Sequence, residues 1–228
     1  MDLIFDVSGL SDESREFTYS KRDVLKYLKI IGVDTRFISY TPDKIYINNL
    51  RFSKFSKKRR EMFNRKYPDI EVIRSSLFYK IASKASRSLA GIKPNARILM
   101  PEDNFLIELI LEPYTRKYGV ELLYSGSYDL KVNPAILDCE VNRIFSGIFK
   151  GAGIDFNKKD NEICPLINVS LEWINSFLKM NNKKTVTCTN KDAVASSFME
   201  FLEDVAPQYR ENVLKATDYI EKNLEVEK

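Results

Sequence analysis

The first candidate for chemistry is the stretch VSGLSDES at residues 7–14, which follows a short apolar start. Small hydroxyls and a glycine between a predicted strand and a predicted helix are typical of loops that bind phosphate through backbone N–H groups. The same residue types are typical of a helix start, with Ser11 or Asp12 as the N-cap. Both interpretations stay open at this point. The phosphate-binding candidates are Ser8, Gly9, Ser11, Asp12 and Ser14.

The lack of histidine limits the chemistry available to this chain of 228 residues. Ser-His-Asp and Cys-His catalysis and histidine-ligated zinc sites are excluded, so any reaction must use carboxylates, Lys, Tyr, Cys, a bound metal or substrate groups. The cysteines Cys139, Cys164 and Cys188 lie far apart and form no Cys-x-x-Cys pair. We therefore expect reduced thiols and a cytoplasmic protein. No apolar run reaches the length of a membrane span, so no membrane partner is expected.

Positive charge is concentrated in residues 51–66, which contain eight Lys or Arg and one acid, Glu61. The resulting charge of +7, against +4 for the whole chain, is typical of a surface that binds phosphate backbones. A solvated helix face gives the same pattern. Phe52 and Phe55 fit either stacking on unpaired bases or anchoring of a helix in the core. The RNA-binding candidates are Lys54, Lys57, Lys58, Arg59, Arg60 and Arg65.

Strands and helices alternate through the first half of the chain. Strands are predicted at residues 2–7, 35–40, 70–73, 96–100 and 120–124, and helices at residues 14–31, 53–66, 77–89 and 105–118. This alternation predicts an α/β fold with a mostly parallel sheet and helices on both faces. Such sheets bind ligands at the carboxyl ends of their strands. Ser125 and Gly126, which follow the fifth strand, are therefore further cofactor-binding candidates.

The pattern changes after residue 126, where helices predominate. They are predicted at residues 137–149, 169–180, 192–205 and 207–224, with a polar loop at residues 155–163. We predict a boundary near residue 160, between a nucleotide-binding-like α/β domain at residues 1–160 and a small helical region at residues 161–228. Asp138 and Glu140 begin the first of these helices and fit either Mg²⁺ or ribose binding or a favourable place at the positive helix end. We take Asp138 as the site candidate and Glu140 as part of the scaffold.

Several stretches near the C-terminus carry a resemblance to a known family. Residues 164–169, CPLINV, precede a helix, residues 185–188, TVTC, follow it where a short strand is predicted at residues 184–187, and residues 207–214, PQYRENVL, open the last helix. Residues 137–151 begin with LDCEV and end with FKG. These motifs resemble the PP-loop ATP pyrophosphatases of the adenine nucleotide alpha hydrolase-like superfamily, in particular tRNA thiolation enzymes and tRNA-Ile lysidine synthetases. The resemblance covers roughly residues 120–220.

The resemblance implies a HUP-like fold in which residues 7–14 correspond to the family's S-G-G-x-D-S loop, which holds the pyrophosphate of ATP. Leu10 replaces the second glycine, and one residue is inserted. The resemblance further implies ATP and Mg²⁺ as cofactors, Asp12 as a catalytic residue acting through the metal, and Asp138 as a metal ligand. Cys188 lies where some thiolation enzymes keep a catalytic cysteine that carries sulfur or binds an iron–sulfur cluster. The family's Cys-x-x-Cys pair is missing, so a cluster would need all three cysteines to converge; otherwise they are ordinary core residues.

Three functions follow from these observations. The first is an ATP-dependent enzyme that adenylates a base of tRNA, releases pyrophosphate and lets a sulfur or nitrogen nucleophile displace AMP. The second is a non-catalytic RNA- or nucleotide-binding subunit of a modification complex, with a protein partner or a second copy, and Leu10 favours it. The third is a module that binds DNA or RNA and has no nucleotide role. Pyrophosphate release separates the first function from the others.

Overall fold

The computed structural model of the protein describes residues 19–102, 104–154, 161–189, 191–206 and 208–226. The strand predicted at residues 2–7 and the loop at residues 8–14 lie outside these ranges. The helices are α1 (Lys21–Ile30), α2 (Leu50–Ser53), α3 (Lys57–Lys66), α4 (Ser76–Ser88), α5 (Phe105–Tyr118), α6 (Leu137–Phe149), α7 (Leu171–Met180), α8 (Ala193–Val205) and α9 (Tyr209–Val226). The strands are β1 (Ile38–Tyr40), β2 (Lys44–Ile47), β3 (Glu71–Ile73), β4 (Arg97–Leu99), β5 (Glu121–Leu123), β6 (Leu130–Val132) and β7 (Glu162–Ile163).

The described strands form two sheets. β5, β4, β6 and β7 lie side by side in that order, and every pairing in this sheet is parallel. The other sheet has the order β1-β2-β3, with β1 antiparallel and β3 parallel to β2. The predicted α/β class is therefore confirmed, although the strands are divided between two sheets. The finer HUP-like arrangement stays a prediction.

The β1-β2-β3 sheet has a hydrophobic core of its own. Helix α1 buries Val24 and Leu28, one turn apart, in this core, and α3 buries Phe63. The helix predicted at residues 53–66 is divided, because Lys54 adopts a left-handed conformation with a φ of 54° and ends α2. The side chain of Ser56 then accepts a hydrogen bond from a backbone N–H of the first turn and caps α3.

Helix α5 joins the two sheets through buried polar contacts. Glu112 is 6% exposed and accepts a hydrogen bond from the backbone N–H of Tyr40 at 3.0 Å. Arg116 pairs with Glu112 and donates to the carbonyl oxygens of Ile38 at 2.7 Å and Thr35 at 3.0 Å. The contacts to Tyr40 and Ile38 satisfy backbone groups on the free edge of β1, which would otherwise be buried without partners, and the contact to Thr35 satisfies a carbonyl of the turn that precedes β1.

Successive strands are added to opposite sides of the parallel sheet before and after the β4–β6 pair. The connection after β4 passes through α5 to β5 on one side, whereas the connection after β6 passes through α6 to β7 on the other. β4 pairs with β6, so the carboxyl ends of these two strands are adjacent. Such a reversal leaves a crevice outside the sheet in which α/β proteins bind ligands.

The C-terminal helices belong to two different cores. Helix α7 contributes Ile174 and Phe177 to the core of the parallel sheet, whereas α8 and α9 pack on α6. The boundary predicted near residue 160 lies between β6 and β7, which are paired strands of one sheet. In the described part of the chain, none of the helices has both the length and the apolar character that a membrane span requires.

Asp192 fixes the start of α8. Its side chain accepts a hydrogen bond from the backbone N–H of Ala195 at 3.0 Å. The ammonium nitrogen of Lys150, at the end of α6, lies 2.8 Å from a carboxylate oxygen of Asp192. This hydrogen-bonded pair lowers the pKa of Asp192 to about 2. The ionised carboxylate therefore links the start of α8 to the end of α6.

Candidate functional site

A cleft of about 1010 Å³ opens at the carboxyl ends of β4, β5 and β6. Met100 and Pro101 follow β4, Tyr124 follows β5 and Asn133 follows β6, and all four line the cleft. The cleft therefore lies where the parallel sheet reverses direction, which is the usual position of the ligand in such sheets. We take it as the candidate site.

The lining of the cleft combines apolar surface with a few polar groups. Its apolar residues include Leu106, Leu166, Ile174 and Leu178, all of them buried. Polar groups come from Asn104 and Glu108 at the start of α5 and from Lys183 and Lys184 beyond the end of α7. Small-molecule sites commonly have this composition, because apolar area provides affinity while a few polar groups fix orientation.

Two aromatic side chains line the cleft. Tyr124 is 59% exposed, so a ligand can reach its ring. Partial burial raises the pKa of the Tyr124 hydroxyl, and the nearby Glu108 carboxylate raises it further, so the phenol stays neutral. The Lys183 ammonium lies 5.0 Å from the centre of the Phe105 ring, within the range of a cation–π contact. Neutral aromatic faces of this kind are suited to stacking against a planar base.

Residues 183–189, which we call the strap, run along one side of the cleft, and all of them except Thr185 line it. Asn175 on α7 accepts a hydrogen bond from the Val186 N–H and donates one to the Val186 carbonyl, each at 2.9 Å. Cys188 forms a disulfide with Cys139 on α6, 49 residues away in sequence, and both residues line the cleft. The strap has no regular secondary structure, so the short strand predicted at residues 184–187 is wrong.

The disulfide corrects the expectation of reduced cysteines. Cys139 and Cys188 are brought together because α6 begins at the cleft and the strap runs along it. Cys188 is therefore oxidised here, and its sulfur could act only after reduction. The two bonded sulfurs and Cys164, which lies outside the disulfide, do not form the three-thiol cluster considered for an iron–sulfur centre. Within the described ranges, no group of three or more Cys, Asp or Glu side chains is placed to hold a metal ion.

A smaller cavity of about 410 Å³ adjoins the cleft. Phe105, Glu108 and Lys183 line both, so the two spaces are neighbours along the start of α5. The turn between β1 and β2, with Asp43 and Lys44, forms another wall of the smaller cavity. The site thus offers two adjoining compartments, one beside the disulfide and one beside the mixed sheet.

The predicted cofactor-binding residues fall into two groups. Ser8, Gly9, Ser11, Asp12 and Ser14 lie outside the described residues. Ser125 and Gly126 directly follow Tyr124 and are exposed beside the cleft, without lining it. Gly126 has a φ of +95°, a conformation that residues with side chains rarely adopt. The backbone conformation of this turn therefore favours glycine at position 126, whether or not a ligand binds there.

Asp138 uses its carboxylate within the protein. One oxygen accepts a hydrogen bond from the backbone N–H of Leu171 at 2.6 Å, at the start of α7. The other oxygen lies 3.1 Å from Nε of Arg210. Glu140, taken as scaffold, pairs with Arg143 on the same helix. These contacts favour a structural role for Asp138 in joining α6, α7 and α9, while its role as a ligand of Mg²⁺ or ribose stays a prediction.

The predicted RNA-binding residues lie on α2, α3 and the turn between them, and we call this the basic surface. Lys54, Lys57, Lys58, Arg60 and Arg65 are exposed and form no ion pair with any residue that the structure describes. Arg59 differs, because its guanidinium donates to the carbonyl oxygen of Lys54 and packs against Gly32. A Cβ at position 32 would approach this guanidinium to 2.8 Å. Arg59 therefore also has a structural role.

The two aromatic residues of the basic surface have different environments. Phe55 is 1% exposed and belongs to the core of the mixed sheet. Phe52 is 51% exposed, and its ring centre lies 5.3 Å from that of Phe37. Phe55 is thus a core anchor, and Phe52 has a ring face that an unpaired base can reach.

Four residues of the cleft, Glu108, Tyr124, Lys183 and Lys184, were missed by reasoning from the sequence, which singled out only Asn104 among its polar groups as a second-rank site candidate. Lys183 and Lys184 belong to the polar run NNKK at the end of α7, which was the available signal. Glu108 lies within a predicted helix and Tyr124 ends a predicted strand. Nothing in the neighbouring sequence indicates that either residue belongs to a binding site. Only the fold brings these four residues to one cleft.

Comparisons with known proteins find no matching family model, curated protein or solved structure. The resemblance to PP-loop ATP pyrophosphatases therefore stays a prediction. The geometry of the cleft and the charge of the basic surface are the observations from which a function can be inferred.

Proposed function

We propose that this protein is an ATP-dependent enzyme of RNA modification, which binds the nucleotide in the cleft and RNA, with tRNA as the expected substrate, on the basic surface. The position of the cleft carries the proposal, because it lies at the carboxyl ends of parallel strands where the sheet reverses direction. Unrelated α/β proteins bind nucleotides at this position, since the loops there converge on one space and are free to vary over a rigid sheet.

The side chains of the cleft suit the parts of ATP. The exposed ring of Tyr124 offers a stacking face for adenine. Lys183 and Lys184 are exposed and form no ion pair with a described residue, so their charge is available to phosphates. Mg²⁺ would enter with the phosphates, because it commonly binds through one or two carboxylates together with substrate oxygens. Glu108 supplies a carboxylate in this cleft.

The disulfide supports sulfur transfer in the same cleft. We place the protein in the cytoplasm, where the disulfides that occur are usually transient and catalytic. A persulfide donor would transfer its outer sulfur to the Cys188 thiolate and leave as a thiolate, and the Cys139 thiolate would then attack the inner sulfur of the Cys188 persulfide. The persulfide bond would break, HS⁻ would leave, and the Cys139–Cys188 disulfide would form. HS⁻ would then displace AMP from the adenylated base, and a thiol reductant would restore both cysteines.

The basic surface suits an RNA backbone. Its exposed cations would neutralise phosphates without reading the base sequence, so binding should weaken steeply as salt is added. Phe52 adds an exposed ring for an unpaired base, with the Arg51 guanidinium 5.9 Å from the ring centre. This combination favours single-stranded or looped RNA.

Calorimetric titration with ATP and Mg²⁺ tests the nucleotide site. The double variant Lys183→Ala/Lys184→Ala should bind ATP about tenfold more weakly or worse, a loss of about 1.4 kcal/mol or more. Lys179→Ala, at an exposed position of α7 that does not line the cleft, is the matched control and should bind normally. Ser8→Ala and Asp12→Ala test the predicted phosphate loop in the same titration. No binding by the wild type at millimolar ATP would refute the proposal.

A non-catalytic RNA-binding subunit is the second candidate. The observation that favours it is that the basic surface belongs to the mixed sheet and its own core, separate from the core beside the cleft. RNA could therefore bind without any reaction in the cleft. Pyrophosphate release from ATP that depends on RNA and on Lys183 supports the enzyme, whereas RNA binding without such release supports the subunit.

A further inference from the structure

One face of α8 is apolar and exposed. Val194, Phe198, Phe201 and Val205 recur at intervals of four, three and four residues and so form one stripe along the helix, which we call the α8 stripe. Val194 is 65% exposed, Phe201 is 60% exposed and Val205 is 64% exposed. At about 1.5 Å per residue, the stripe is about 16 Å long. Contiguous exposed apolar surface of this kind marks an interaction site.

The α8 stripe is fixed in place by the packing of α8 on α6 and α9. Met199, on the opposite side of α8, is buried in the core that α8 shares with α6 and α9. The ring of Phe198 packs edge-on against two rings of α6, with centre distances of 5.1 Å to Phe145 and 5.4 Å to Phe149. Phe149 is itself 45% exposed and widens the apolar surface. A surface that is already ordered loses little conformational entropy when a partner covers it.

The two ends of the α8 stripe carry opposite charge. At the N-terminal end, Lys191 is exposed and forms no ion pair with a described residue. Near the C-terminal end, Asp204 is exposed and also forms no ion pair within the described ranges. The helix dipole has the same polarity, positive at the start of α8 and negative at its end. A helix that matches this surface should therefore be apolar and run antiparallel to α8, and a second α8 meets both conditions.

We propose that the protein forms a symmetric dimer in which the α8 stripes of two copies pack antiparallel. A two-fold axis through the middle of α8 would place Val194 opposite Val205 of the partner subunit and Phe198 opposite Phe201 of the partner subunit. The contact is self-complementary in apolar surface and in charge, as a two-fold interface requires. The dimer surface involves neither the cleft nor the basic surface and is independent of the proposed function.

Sedimentation equilibrium of the full chain over a range of concentrations tests the dimer. The wild type should dimerise, and Phe201→Glu should raise the dissociation constant about tenfold or more, because it buries a charge in the apolar contact. Tyr219→Glu is the matched control, at a 71% exposed position of α9 outside the stripe, and should dimerise normally. Equal circular dichroism spectra would show that each variant has folded.

Charge exchange provides a second readout. Lys191→Glu and Asp204→Lys should each weaken the dimer, whereas their combination should restore it because the two ends are exchanged. The proposal is overturned by a wild type that stays monomeric at every concentration. A dimer that Phe201→Glu leaves intact, or that Tyr219→Glu disrupts instead, places the interface elsewhere and also overturns it.

Discussion

Replacing Cys139 and Cys188 with serine should destabilise the protein and loosen the strap. The disulfide closes a loop of 49 residues, for which loop-closure entropy gives about 4 kcal/mol. Native disulfides of small secreted domains contribute about 2–5 kcal/mol when measured. We expect the free energy of unfolding to fall by about 2–4 kcal/mol. The fold itself should persist, because Asn175 still holds the strap through two hydrogen bonds.

Urea unfolding measures this loss in the double serine variant and in the wild type with a dithiol reductant. Cys164→Ser is the matched control, because Cys164 lies outside the disulfide, and its response to reductant should equal that of the wild type. Titration of thiols in the urea-unfolded wild type should find one thiol before reduction and three after it.

The cleft provides an independent readout of the same change. Freeing the Cys188 end of the strap should let Lys183 and Lys184 move away from the other walls. If the cleft binds ATP as we propose, the reduced protein should therefore release it faster. Equal free energies of unfolding with and without reductant would refute the stability reasoning. Three titratable thiols before reduction would refute the disulfide itself.

The remaining predictions concern the bridge between the sheets, the start of α8 and the basic surface. Arg116→Met should lower the free energy of unfolding in urea by about 3 kcal/mol, because the buried carboxylate of Glu112 loses its guanidinium partner and, among the described residues, keeps only Lys21 as a cationic partner. The wild type should lose melting temperature between about pH 4 and pH 2, and Asp192→Asn should reduce this loss. The lysine beside Asp192 lowers the pKa of its carboxyl to about 2. The stabilisation by the ionised carboxylate is therefore complete above the unfolded-state pKa and disappears as the pH falls through 2. Lys57→Glu combined with Lys58→Glu should reduce the slope of log K against log salt for single-stranded RNA by about 1.4, or about 0.7 per lost phosphate contact, in fluorescence anisotropy.

Changes at exposed positions provide the controls. Arg36→Met breaks an ion pair in which the arginine side chain is 58% exposed and should change the free energy of unfolding by about 1 kcal/mol at most. Lys179→Glu with Lys215→Glu alters net charge equally, away from the basic surface, and should leave the salt slope unchanged. Equal acid profiles for wild type and Asp192→Asn would contradict the role of that carboxylate.

Local sequence patterns are sufficient to predict the long helices, and the composition is sufficient to exclude histidine chemistry. Helices α5 and α6 lie at Phe105–Tyr118 and Leu137–Phe149, the bounds predicted, because an apolar stripe has the helical period in each. Asn104 caps the start of α5, and Gly119 ends it in a left-handed conformation. These signals act between residues a few positions apart, so they can be found without the fold. The exclusion of histidine chemistry follows directly from the composition, because the chain contains no histidine.

The pairing of the strands and the composition of the candidate site, in contrast, follow from long-range contacts of the folded chain. β6 and β7 have three and two residues, too few for an alternating pattern, and they are strands because β4 and β6 offer backbone groups to pair with. Cys139 and Cys188 are bonded across 49 residues, and Glu108, Tyr124 and Lys183 reach one cleft from three separate elements. A helix closes its hydrogen bonds within one turn, whereas sheets and sites join residues that are distant in sequence. Their meeting depends on the packing of the whole chain, which local patterns do not encode.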